Sequence, residues 1–84
     1  MEENIAVAMG FIMGNKQRER VVQVLGSKGA LSSERIAKIE HIPAPGVKRI
    51  LDELSQKQIV TENGGLWSLT NHGLEVEKET KKRT

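Results

Sequence analysis

Apolar positions recur along most of this chain with helical spacing, and the period changes only once, near the C-terminal end. Ile5, Ala8, Met9 and Ile12 fall three and four apart, which predicts a helix. Ala6, Val7, Phe11 and Met13 fill most remaining positions, so this helix, within residues 1–14, is apolar nearly all round and must be covered on several sides. It reads as part core and part contact with a second copy of the chain. Gly14 ends it. Asn15 suits the N-cap of a second helix, from Lys16 to about Leu25, with Val21, Val22 and Leu25 inward and Gly26 and Gly29 closing it. Ser32 suits the N-cap of a third, carrying Ile36, Ala37 and Ile39 inward, with Glu34 near its positive end. Glu40, His41 and Ile42 form the turn that follows. Pro43 stops the third helix, and Pro45 suits the first position of a fourth, where its missing N–H would be unpaired anyway. Val47, Ile50, Leu51 and Leu54 then give an i, i+3, i+4, i+7 stripe.

The change of period comes at Ile59, Val60 and Thr61, which have strand character. Asn63-Gly64 is a strong hairpin signal, because both residues tolerate positive φ, and Leu66 to Leu69 return as the second strand. Thr70 caps a last helix through Leu74 and Val76, and the charged residues 77–84 are expected to fray. The order is helix, turn, helix, two-stranded hairpin, with flanking terminal helices. It predicts an α+β fold, mainly α: a winged helix-turn-helix with a three-helix core.

Composition bounds this picture. Eighty-four residues make a single domain with a modest core. With no cysteine, disulfides, thiolate catalysis and Cys-type zinc sites are excluded, and a cytoplasmic protein is expected. The apolar run Ile5 to Met13 is too short to span a bilayer, and its acidic flank, Glu2 and Glu3, makes a poor signal peptide. Net charge is only +2, but its distribution is uneven. From Lys16 to Ile50 there are eight Lys and Arg against three Glu, whereas Leu51 to Thr70 is acidic on balance. A basic first half suggests a polyanionic partner, although a solvated surface gives the same count.

Catalytic chemistry finds little support. The chain has neither a phosphate-binding glycine loop with Lys-Ser/Thr nor a nucleophile elbow, and no histidine with an acid at telling spacing. His41 and His72 stand far apart with no cysteine near, so each reads as a turn or helix-start residue rather than a metal ligand. The single tryptophan, Trp67, reads as a half-buried strand residue covering the core. The chain is therefore expected to be neither an enzyme nor a cofactor protein.

Four segments carry a family likeness. They are Asn15-Lys16-Gln17-Arg18, then Leu31-Ser32-Ser33-Glu34-Arg35-Ile36-Ala37, then Val47-Lys48-Arg49-Ile50-Leu51-Asp52-Glu53-Leu54, and last Leu66-Trp67-Ser68-Leu69-Thr70-Asn71-His72-Gly73 with its Leu-Thr-x-x-Gly ending. In order and spacing, the chain from Asn15 to Gly73 resembles the ArsR/MarR-like winged-helix transcriptional regulators, especially the small archaeal ones. The resemblance implies a homodimer that binds double-stranded DNA, with the fourth helix in the major groove. The chain departs from the family pattern at three places. His41 stands where a turn glycine is usual; Ala44, Pro45 and Gly46 replace polar residues at the start of the fourth helix; and the wing, Glu62-Asn63-Gly64-Gly65, has no positive charge.

The candidate DNA contacts follow. Relative to an inward Val47, Lys48 lies about 100° and Arg49 about 200° around the helix, so both can face a groove or its phosphates. Gly46 lets backbone N–H groups approach a phosphate. Arg18, Arg20, Arg35 and Lys38 are candidates for backbone contacts from the two preceding helices. The alternative is a winged-helix module that binds protein rather than DNA, which the uncharged wing and apolar helix start favour.

Overall fold

Capping side chains set the helix boundaries of the computed structural model, which describes residues 5–82. Helix α1 spans Ile5–Met13, and its Ala8, Met9 and Ile12 are buried. Asn15 opens α2 (Lys16–Lys28) by accepting the backbone N–H groups of Gln17 and Arg18 at 2.9 and 3.1 Å. Gly26 does not close this helix, contrary to the sequence expectation. The helix continues to Lys28 and ends at Gly29, which takes φ 84°. Gly26 stands within it because a Cβ there would lie 2.7 Å from the carboxyl carbon of Glu77. A later helix packs on the bare backbone.

Ser32 Oγ accepts the Arg35 N–H at 3.1 Å and starts α3 (Ser33–Glu40), of which Ile36 is fully buried and Ala37 and Ile39 half-buried. His41 ends α3 at φ 56°, ψ 42°, filling the left-handed position that a glycine would take at less cost. Helix α4 (Ala44–Gln56) follows, with Pro45 in its first turn and the backbone N–H groups of Gly46 and Val47 both bound to the Pro43 carbonyl. Its stripe of Val47, Ile50, Leu51 and Leu54 is buried as the spacing predicts.

The chain leaves α4 through Gln58, at φ 62°, and enters β1 (Val60–Asn63), which pairs antiparallel with β2 (Leu66–Leu69). Asn63 faces Leu66 across the ladder, so the two-residue turn is Gly64-Gly65 rather than Asn63-Gly64. Both glycines take positive φ, 61° and 84°, as a two-residue turn matched to strand twist requires. A third element joins the sheet that periodicity did not reveal. Leu31 bridges Trp67, with the Trp67 N–H donating to the Leu31 carbonyl at 2.7 Å and the Leu31 N–H returning the bond at 3.0 Å. Trp67 is half-buried against the core, as expected.

Thr70 opens α5 (Asn71–Lys82). Its hydroxyl accepts the Gly73 N–H at 2.9 Å and donates to the Gln58 carbonyl at 2.6 Å. Residues 77–82 are helical where fraying was expected. Gly73, Val76, Glu77 and Thr80 fall at i, i+3, i+4 and i+7 and are all buried, although only one of them is an apolar side chain. The remainder of the expected tail, 83–84, lies outside the described residues, as does 1–4 of the first helix. Helices α1 and α2 both pack on α5, and one core joins α1, α2, α4 and the base of the hairpin. The architecture is α+β, mainly α. No helix among the described residues is long and apolar enough to cross a membrane.

Candidate nucleic-acid interface

The outward face of α4 is written by what its inward stripe leaves over. With Val47, Ile50, Leu51 and Leu54 committed to the core, Lys48, Arg49 and Asp52 are exposed. A cation followed four residues later by an acid is the spacing of an intrahelical ion pair, and α4 has two such sets, Lys48 with Asp52 and Arg49 with Glu53. Neither pair forms. Asp52 Oδ2 instead accepts the side-chain amide of Gln56 at 3.3 Å. Glu53 Oε1 accepts Arg18 Nε, from α2, at 3.2 Å. Among the described residues Lys48 and Arg49 have no ion pair, and the same holds of Arg35 and Lys38, both exposed on α3.

Arg18 is engaged within the helical assembly. Its Nη1 donates to the Phe11 carbonyl at 3.0 Å, and its guanidinium carbon lies 3.9 Å from the Phe11 ring centroid. One side chain thus ties α2 to both α1 and α4, and only 22% of it remains exposed. Arg20 is exposed on α2. Gly46 is half-buried in the first turn of α4, where a Cβ would make an ordinary contact with Ile42 at 3.4 Å. Packing therefore does not demand glycine there.

The hairpin side of α4 is acidic. A cleft of about 430 Å³ opens between the start of α3, the outer face of α4 and the hairpin. Glu34, Asp52 and Glu62 line it, with Lys48 as its single cation and Trp67 at its wall. Glu62 is fixed by the turn it precedes, since its Oε2 accepts the Gly65 N–H at 2.9 Å. A phosphate entering this cleft would meet more negative charge than positive. A second cleft, about 470 Å³, lies at the base of the hairpin among Ser55, Gln58, Thr61, Thr70, Asn71 and His72, with no Asp, Glu, Lys or Arg in its lining.

His41 and His72 stand apart, at the end of α3 and in α5, and no group of three or more His, Asp or Glu among the described residues is placed to hold a metal ion. Among the described residues the most buried ionisable group is Glu77 on α5. Its Oε2 receives no well-aligned hydrogen bond, although Lys81 Nζ stands 3.2 Å away as an ion-pair partner. The sequence signals for these unforeseen contacts are slight. Arg18 and Glu53 are 35 positions apart, and only the i, i+4 spacing on α4 hints that Glu53 bears on Arg49.

No protein-family profile matches the chain. No curated protein is significantly similar to it.

Proposed function

We propose that this protein is a winged helix-turn-helix regulator that binds double-stranded DNA. Helix α3 is the first helix of the motif, α4 the one laid in the major groove, and the β1–β2 hairpin the wing. The observation that carries the reading is the state of α4. Lys48 and Arg49 are exposed and without ion pairs among the described residues, while the two acids placed to neutralise them are held by Gln56 and Arg18. Exposed Arg35 and Lys38 on α3 add cations, and α3 packs directly on α4. Ala44, Pro45 and Gly46 at the start of α4 offer no side-chain hydrogen bonds to base edges, so contact is mainly with phosphate. The protein acts in the cytoplasm as a homodimer through α1, whose Ala6, Gly10 and Met13 are exposed on a helix without one polar side chain. The test is a titration of a labelled random duplex at low salt. Micromolar binding that weakens steeply with added salt is expected. Absence of binding at low salt defeats the reading.

A second reading is favoured by one observation, the acidic cleft of Glu34, Asp52 and Glu62 beside the wing. There the module binds a protein through α4 and the wing, and DNA plays no part. The same titration separates the two, because only the first reading gives a salt-dependent complex with duplex of any sequence.

A further inference from the structure

The unpaired state of Arg49 depends on a side chain from another helix. Glu53 lies one turn beyond Arg49 on the same side of α4, at i+4, and Asp52 at i+3 is already engaged by Gln56. Released from Arg18, the carboxylate would be within i, i+4 reach of the guanidinium. It is held away by Arg18, whose planar fork is itself fixed at three points: Glu53 Oε1 at 3.2 Å, the Phe11 carbonyl at 3.0 Å and the face of the Phe11 ring at 3.9 Å. These contacts restrict Arg18 far more than the exposed Arg49, and a preorganised guanidinium loses less freedom on binding a carboxylate than a mobile one does. Glu53 is 36% exposed and reaches Arg18 without leaving the surface of α4.

We propose that Arg18 is a positioning residue for the DNA-binding surface: by holding Glu53 it keeps the Arg49 guanidinium unpaired. This inference rests on the DNA-binding reading for its consequence but not for its geometry. Arg18 itself touches no nucleic acid. Its loss weakens DNA binding because Glu53 then pairs with Arg49 and takes one cation out of the interface.

The test compares the parent, Arg18→Gln and Arg18→Gln/Glu53→Gln. Glutamine at 18 keeps the aliphatic stem and removes the charge and the Nη1 donor to the Phe11 carbonyl. Two readouts are taken, the salt dependence of duplex binding and the solvent exchange of the Arg49 Nε–H by NMR without DNA. Arg18→Gln is expected to flatten the slope of log K against log salt by roughly 0.9, the value of one phosphate contact. It should also slow the Arg49 Nε–H exchange. Adding Glu53→Gln is expected to restore both. A purely structural role for Arg18 predicts no such rescue, so failure of the second substitution to restore binding overturns the proposal. An unchanged slope with unchanged Arg49 exchange in Arg18→Gln overturns it as well. If the parent does not bind duplex DNA, the DNA reading falls, and the positioning claim is decided by the exchange measurement alone. Should Arg18→Gln fail to fold, Glu53→Gln by itself serves. Arg49 exchange equal to the parent's supports a Glu53 already held away, and faster exchange in the variant overturns it.

Discussion

Single residues decide this fold where the backbone comes closest to itself. Gly73 sits in the first turn of α5 against Ile59, and a Cβ there would collide with the Ile59 carbonyl oxygen. That oxygen cannot yield, because it also accepts the Thr70 N–H at 3.0 Å. Gly73→Ala is therefore expected to lose about 1–3 kcal/mol of stability by urea unfolding, despite the better helix propensity of alanine. The hairpin turn gives a second prediction. Gly65 takes φ 84°, whereas Asn63 lies in the ladder opposite Leu66. Gly65→Val should cost about 1–2 kcal/mol and disturb the fluorescence of Trp67, while Asn63→Val leaves both nearly unchanged. Equal losses from the two variants would return the turn to Asn63-Gly64. The sequence marked the turn through Asn63-Gly64. It did not say which two residues make the turn, because Asn-Gly and Gly-Gly satisfy the same requirement for positive φ.

Among elements, periodicity read best where burial and apolar character coincide. The α4 stripe of Val47, Ile50, Leu51 and Leu54 is of this kind, and the Asn15 and Ser32 caps were as legible. It read worst in α5, whose buried face is Gly73, Val76, Glu77 and Thr80. There the packing partner supplies the logic: Gly26 of α2 provides the space that Glu77 occupies, and Thr80 satisfies its hydroxyl by donating to the Val76 carbonyl at 2.9 Å. Neither fact leaves a mark on the local pattern, so a glycine inside a helix looked like its end and a buried helical face looked like a frayed tail. The pair can be tested directly. Gly26→Ala should gain less than the about 1 kcal/mol that helix propensity offers, because the new Cβ displaces the Glu77 carboxylate. In a Glu77→Ala background the same substitution should be neutral or stabilising. The coupling between the two sites is expected at about 0.5–3 kcal/mol in a double-mutant cycle of thermal or urea unfolding. Additivity would show that α5 does not seat on α2 through these residues.

At the scale of the whole molecule, charge is sorted by position rather than by amount. A net charge of +2 says little by itself. The cations at Arg35, Lys38, Lys48 and Arg49 are exposed, while Arg18 is spent on Phe11 and Glu53 inside the helical assembly. The acids at Glu34, Asp52 and Glu62 collect on the hairpin side of α4. The four exposed cations could be named from the chain because their places follow from the helical period. The diversion of Arg18 could not, since it depends on α1 and α4 meeting α2 in space. The proposed DNA surface is thus smaller than the basic count suggested, and it borders the acidic hairpin cleft at Lys48. The most direct test of that surface is the salt dependence of duplex binding by Lys48→Ala/Arg49→Ala. The inward stripe of α4 is untouched in this variant, so its melting temperature should match the parent's. Binding to every duplex is expected to weaken, and the slope of log K against log salt to flatten by about two, close to one for each phosphate no longer neutralised. A folded variant that binds duplex DNA with the parent's affinity and slope would contradict a DNA surface on α4.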